Sequence, residues 1–251
     1  MQNHVLLALA LLAGLRACVA YEYEHEFWLR TDGSGSVQVT GRPALWAAFK
    51  GLGNPDDPER TVTLEAARAL FERSGLRVRR VTLTHRAGRP YLLVAADFAD
   101  VNRLTGTPAF PDLRLLLRRE GERLHLEGEW RRPEATPEVG TRDREGQMAT
   151  RFHLPSRVYE HRNAADGVER GNIVAWRQDV AHGLDGEALL LGALMDSRSI
   201  LGSTVMLFGA AIGVALALVA LGLWLTVRRG RKGLERGGGQ GPTSRSTSGL
   251  A

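Results

Sequence analysis

Residues 21–39 read YEYEHEFWLRTDGSGSVQV, and their alternation decides how the chain starts to fold. Polar and apolar residues exchange at period two from Tyr21 to Arg30, the signature of a half-buried strand. Asp32-Gly33-Ser34-Gly35 supplies turn chemistry, and Val37 and Val39 resume the alternation. That pattern predicts a β-hairpin.

Outward from the hairpin, Gly41-Arg42-Pro43 stops the second strand, and Pro43–Lys50 (PALWAAFK) predicts a short helix with proline in its first turn. Thr63 is the expected N-cap of a helix over Leu64–Arg73, where Leu64, Ala67, Leu70 and Phe71 recur at helical spacing and Ser74-Gly75 ends the run. Strands are expected at Leu76–His85, Pro90–Phe98, Leu113–Arg119, Arg123–Trp130, Ala149–Tyr159 and Asn172–Asp179. Arg131–Gln147, with Pro133 and Pro137, reads as a loop, and Ala188–Met195 as a short apolar run after the last strand. The order implies an α+β domain, a mainly antiparallel sheet with two short helices on one face.

Two apolar segments flank this domain. Ile200–Val227 is 28 residues without a charge, followed at once by Arg228, Arg229, Arg231 and Lys232. As a helix it would be about 42 Å long, enough for a hydrocarbon core of about 30 Å. It predicts a single transmembrane helix, and its basic flank predicts a cytoplasmic C-terminal side. Val5–Leu15 is 11 apolar residues, the length of a signal-peptide core. The expected layout is a signal peptide over 1–20, an exported domain over 21–199, a membrane helix over 200–227 and a basic, disordered tail over 228–251.

Processing of the leader has two routes. Leu15-Arg16-Ala17-Cys18 resembles a lipobox and makes Cys18 a candidate for lipidation, although Arg16 occupies a position that usually takes a small residue. Alternatively, Cys18-Val19-Ala20 is a cleavage site before Tyr21. A lipid on Cys18 would give the domain two attachments, expected to hold both its ends close to one membrane surface.

Charge location removes one class of partner. The net charge is +5, but the tail after Val227 holds six basic residues and one acid, and Arg16 lies in the leader. Between them stand 26 basic against 27 acidic residues, so the exported part has no basic excess and nucleic acid is not an expected partner. The lysines are Lys50 and Lys232 alone, which reads as base composition. With Cys18 the single cysteine, an intrachain disulfide and cysteine-based zinc sites are excluded.

No catalytic constellation emerges. His153 and His161 are eight residues apart, a spacing that fits no common metal motif, and His25, His85, His125 and His182 read as isolated. Asp32–Ser36 joins two strands without a following helix or lysine, so it reads as a turn and not a phosphate cradle. Glu22, Glu24 and Glu26 share one strand face and are expected solvated or paired with arginines from a neighbour. Asp100 reads as a cap. Neither enzyme chemistry nor a metal or cofactor is expected.

Phe152–Tyr159 (FHLPSRVY) followed by Gly171–Asp179 (GNIVAWRQD), with a hairpin just after a candidate lipidated cysteine and one C-terminal anchor, resembles the LppM-domain family of bacterial envelope proteins. The resemblance implies an α/β domain with an apolar cavity for lipid or glycolipid at the membrane surface. Trp28, Trp46, Trp130 and Trp176 would line such a cavity or fill a core. Within the anchor, Gly209, Gly213 and Ala217 form a small-residue ridge suited to a homodimer contact. The expected function is non-enzymatic lipid or glycolipid binding; the alternative is an assembly subunit that uses the sheet surface and the membrane helix.

Overall fold

The structure is a computed structural model; it describes residues 21–54, 56–134, 140–165, 167–169, 171–198 and 200–237. The leader, Cys18 and the last residues of the tail lie outside the described residues. The chain divides into two compact units, Met1–Ile200 and Leu201–Ala251.

The expected hairpin forms from β1 (Tyr23–Leu29) and β2 (Gly35–Gly41), with Tyr23 opposite Gly41 and Leu29 opposite Gly35. Its turn is held by Asp32, whose Oδ1 accepts from the Ser34 amide at 2.9 Å and the Ser34 hydroxyl at 2.7 Å. Gly35 is obligatory because a Cβ there would stand 2.1 Å from the Trp28 carbonyl oxygen. Helix α1 (Pro43–Lys50) follows, with all eight residues buried. After a four-residue helix, α2 (Pro58–Thr61), the cap at Thr63 is as expected: its side chain accepts from the Ala66 amide at 3.1 Å and starts α3 (Leu64–Arg73). Gly75, at φ +77°, ends that helix in the left-handed region.

Strands β3 (Arg77–Arg86), β4 (Arg89–Phe98), β5 (Leu113–Glu120) and β6 (Arg123–Trp130) occupy the expected segments. Beyond them the architecture departs from a single sheet. The stretch expected as one strand over 149–159 is two, β7 (Gln147–His153) and β8 (Val158–Arg162), and they belong to different sheets. Pro155 causes the break, since it has no amide to donate to a ladder. After β9 (Val168–Glu169), β10 (Ile173–Asp179) and a short helix, α4 (Val180–Leu184), the apolar run at 188–195 is a strand, β11 (Leu189–Asp196).

The first sheet has the order β3-β4-β2-β1-β7-β10-β9, antiparallel except where β1 runs parallel to β7. The second, β5-β6-β11-β8, is antiparallel throughout. The fold is α+β, with two sheets sharing one continuous core. Phe27 of β1 stacks on Phe152 of β7 at 4.6 Å between centroids, and Phe49 of α1 meets Trp130 of β6 edge-on at 4.8 Å.

Register fixes which strand ends coincide. At one end, here the closed end, the Tyr23 hydroxyl reaches Asp112 just before β5, Leu113 faces Trp130, and Trp130 faces Leu189. At the other, the exit end, Leu29 meets Gly35, Glu120 faces Arg123, and Arg123 faces Asp196. A bond of 3.3 Å from Arg119 Nη2 to the Thr31 carbonyl ties the two exit-end hairpins together. The chain therefore enters the domain at the closed end, at Tyr21, and leaves it at Asp196, roughly 20 Å away at strand rise.

The second unit is a helix, α5, over Ile200–Gly237. It extends past Val227, so the first ten residues of the expected disordered tail are helical; Arg, Lys, Leu and Glu there favour the helix against Gly230 and Gly233, and no proline interrupts them. Each large apolar side chain described between Val205 and Leu221 is half or more exposed. Its uninterrupted described side chains run from 208 to 224, and among the described residues no helix is long and apolar enough to cross a membrane.

Candidate functional site

The closed end concentrates the perturbed ionisable groups of the domain, the usual pointer to a site. α1 is apolar on every face yet ends in Lys50, whose Nζ lies 2.9 Å from Asp112 Oδ1 with both side chains fully out of solvent. Asp112 Oδ2 accepts from Trp130 Nε1 at 3.1 Å and from the Tyr23 hydroxyl at 3.4 Å. His25, on the inner face of β1, places Nε2 at 3.7 Å from the same oxygen, beyond hydrogen-bond reach. The Lys50 ammonium also sits 4.7 Å from the centre of the Phe110 ring.

Burial dominates the protonation of every member. Desolvation pushes the Asp112 carboxyl up and the Lys50 amine down, while their mutual attraction and hydrogen bond oppose both shifts. Burial, reinforced by the Lys50 charge, holds His25 well below its usual value, so it is neutral at pH 7. Burial and then Asp112 drive the Tyr23 phenol well above its usual value. His25 Nε2 and the neighbouring Thr150 hydroxyl are buried without a hydrogen-bond partner among the described residues. These side chains are buried together, and their contacts tie α1 to the segment before β5 and to β1 and β6.

Two clefts open at the same end. One, about 620 Å³, lies between the start of α1 and the β3–β4 hairpin, lined by Pro43, Ala44, Pro58 and Pro90 together with Arg42, Arg89 and Glu59. Arg42 builds its wall: Nε contacts Glu22 Oε2 at 2.8 Å, and Nη1 donates to Asp143 Oδ1 at 2.8 Å. Tyr91 donates to Glu22 Oε2 at 2.6 Å; burial, and then that carboxylate, push its phenol up to about 12. The other cleft, about 570 Å³, runs over Pro111, Asp112, Arg114, Glu129 and Arg131.

The outer face of β1 carries the carboxylates expected there, and they are half-buried and paired. Arg151 lies 3.7 Å from Glu24 and 3.6 Å from Glu26, and His153 Nε2 lies 2.8 Å from Glu26 Oε1. Burial pushes both carboxyls up. At Glu24 it prevails over Arg151, whereas at Glu26 the bond and charge of His153, with Arg151, outweigh it and hold the group low. Asp100 caps the 3₁₀ turn Val101–Arg103 through the Asn102 amide, as the sequence suggests.

The indoles divide. Trp46, Trp130 and Trp176 are fully buried in the core, and their Nε1 atoms donate to the Leu92 carbonyl, Asp112 and the Arg162 carbonyl respectively. Trp28 is 37% exposed and stacks on His153 at 4.8 Å. None of the four lines either of these clefts. On α5, Gly209 and Gly213 have open space where a Cβ would stand. His153 and His161 lie in different sheets, and among the described residues no group of three His, Cys, Asp or Glu side chains could hold a metal ion. The Lys50–Asp112–His25 cluster escaped the sequence reading. Its one available signal was a lone lysine closing an otherwise apolar helix.

No family model and no curated protein matches the chain. Among solved structures it is similar to the folded domain of LppM from Mycobacterium tuberculosis, determined by NMR, at 16% identity and a TM-score of 0.38. That match covers 70% of this chain and 89% of the other.

Proposed function

We propose that the chain is a membrane-anchored envelope protein whose exported domain binds an amphiphilic ligand, a lipid or glycolipid, without catalysis. The observation that carries this reading is α5: a row of large apolar side chains from Val205 to Leu221 left half or more exposed is untenable in water and natural in lipid. The charge-free run to Val227 and the arginines after it support a single span with the C-terminal side in the cytoplasm. The 620 Å³ cleft supports the ligand, because it sets three prolines and an alanine beside Arg42, Arg89 and the acids Glu59, Asp143 and Glu145, apolar and polar groups side by side as an amphiphile requires. Its entrance is at the end where Tyr21 enters, so lipidation at Cys18 would bring it to the membrane.

Native mass spectrometry of the full-length protein extracted from membranes tests both parts. A copurifying lipid or glycolipid that is lost in Arg89→Glu is the expected result. A ligand-free protein with an intact fold overturns the binding reading, and release from membranes by alkaline carbonate overturns the anchor.

A second reading, assembly through the helix, draws on the open ridge at Gly209, Gly213 and Ala217. Crosslinking in membranes should then give a homodimer that Gly209→Ile with Gly213→Ile abolishes; monomer alone in the unaltered protein contradicts it.

A further inference from the structure

We infer that the exit end of the domain is a docking surface for anionic phospholipid headgroups. This inference rests on the membrane-anchored reading and adds to it which part of the domain meets the bilayer and through which residues.

Chain connectivity comes first. β11 ends at Asp196 and α5 begins at Ile200, so the exit end is joined to the apolar helix by at most about 14 Å of extended chain. Once that helix is in a bilayer, the exit end stays within reach of the headgroups. The closed end, roughly 20 Å further along the strands, need not.

The side chains at the exit end suit that neighbour. Among the described residues Arg119 and Arg123 have no carboxylate at ion-pair distance, and Arg30 acts on Asp32 through its charge alone: Arg30 donates to the Ser34 hydroxyl, Arg119 to the Thr31 carbonyl, and Arg123 covers the Tyr159 ring at 4.9 Å. Arg103, beside the cap at Asp100, and Arg157, whose carbonyl accepts from the Asp196 amide, have no ion pair among the described residues. Acids are present too, but their oxygens are engaged within the domain. Asp32 holds the hairpin turn, Asp100 caps, Asp196 accepts from the Arg198 amide and the Tyr159 hydroxyl, Glu122 pairs with Arg198, and Glu120, opposite Arg123, lies 3.5 Å from His125. Discrete guanidinium forks remain, the group that pairs bidentately with phosphate, and no strong long-range field.

A second observation points the same way. In the folded domain two aromatic side chains are prominently exposed among the described residues, Trp28 at 37% and Tyr159 at 47%. Both lie at the exit end, Trp28 opposite Ser36 beside the hairpin tip and Tyr159 bonded to Asp196. Tyrosine and tryptophan favour the headgroup layer, where an apolar ring and a polar tip are both satisfied.

The test is hydrogen exchange on the full-length chain in nanodiscs of phosphatidylcholine alone, of phosphatidylcholine with one-third phosphatidylglycerol, and of phosphatidylcholine with inorganic phosphate added. Amides around 28–33, 119–123 and 157–160 should exchange about fivefold more slowly with phosphatidylglycerol only, the weight of a single arginine held at an anionic surface. Closed-end amides at 131–134, outside the cleft proposed for the ligand, should not respond. The triple variant Arg119→Gln, Arg123→Gln, Arg157→Gln should lose the protection while still entering nanodiscs. Equal exchange in all three conditions, with the protein inserted, overturns the docking surface and leaves the anchor standing. The same protection from inorganic phosphate replaces the lipid by the free anion and overturns the proposal. A protein that fails to enter any nanodisc overturns the anchor and the docking surface together.

Discussion

The two ends of the domain hold their charges in opposite ways. At the closed end one lysine and one aspartate are drawn fully into the core, and tyrosine, tryptophan and histidine crowd around them. At the exit end arginines stay at the surface among carboxylates that hold turns or pair locally. The difference teaches where each charge acts. A buried pair has lost its hydration and has to be satisfied from within, so it constrains packing, whereas a solvated arginine costs the fold little and remains available to a partner.

The comparison breaks first at Asp112. Asp112→Ala leaves Lys50 buried without its counter-charge and should cost about 3–5 kcal/mol in urea denaturation. The double variant Lys50→Met, Asp112→Leu should recover part of that, because it removes the uncompensated ammonium while still leaving the Tyr23 and Trp130 donors without their acceptor. If both lose stability equally, the pair is worth more than its apolar replacement and the account of the closed end is wrong.

Acid titration sharpens the same region with a smaller effect. His25 is held well below its usual value, so below about pH 6.5 the unfolded chain takes up a proton there that the native chain refuses. Stability should be full above that pH and fall on acidification by up to about 1.4 kcal/mol per pH unit. Asp112, raised by burial, acts in the opposite sense at lower pH, since the native state then binds the extra proton. Tyr23, Lys50 and Asp112 are the ionisable groups around this histidine, and Thr150 lies beside it on β7. His25→Phe should flatten the limb between about pH 6.5 and 5.5, and an unchanged limb would remove His25 as its cause.

The smallest effect belongs to the exit end. Arg103→Gln and Arg157→Gln should each change stability by less than about 0.5 kcal/mol, as expected of solvated side chains away from caps and core. A loss above about 1 kcal/mol would mean these arginines serve the fold and not a partner.

The sequence shows some of this and hides the rest for physical reasons. β1 and β2 were legible because one face is buried and the other wet, which writes the period directly into the residues. The cap at Thr63 and the turn at Asp32 were legible because both are local hydrogen bonds. β11 was not: Leu189, Leu191, Ala193 and Met195 face the core while Leu190, Gly192 and Leu194 face outward, so no alternation marks the strand. The second sheet was hidden for a related reason, since Pro155 announces a break without saying where the chain goes next. The carboxylates of β1 were legible, and so was their need for arginines; that Arg42 and Arg151 supply them is a matter of tertiary pairing. Lys50 and Asp112 are 62 positions apart, a separation no local pattern bridges.

One measurement bears most directly on the membrane-anchored reading. In a Cys18→Ser background, single cysteines at Glu65→Cys in the domain and Ser244→Cys in the tail would be treated with a membrane-impermeant maleimide in intact cells and again after lysis. The account predicts labelling of Glu65→Cys in both conditions and of Ser244→Cys after lysis alone. Equal labelling of the two positions in intact cells, or the reverse order, would contradict it.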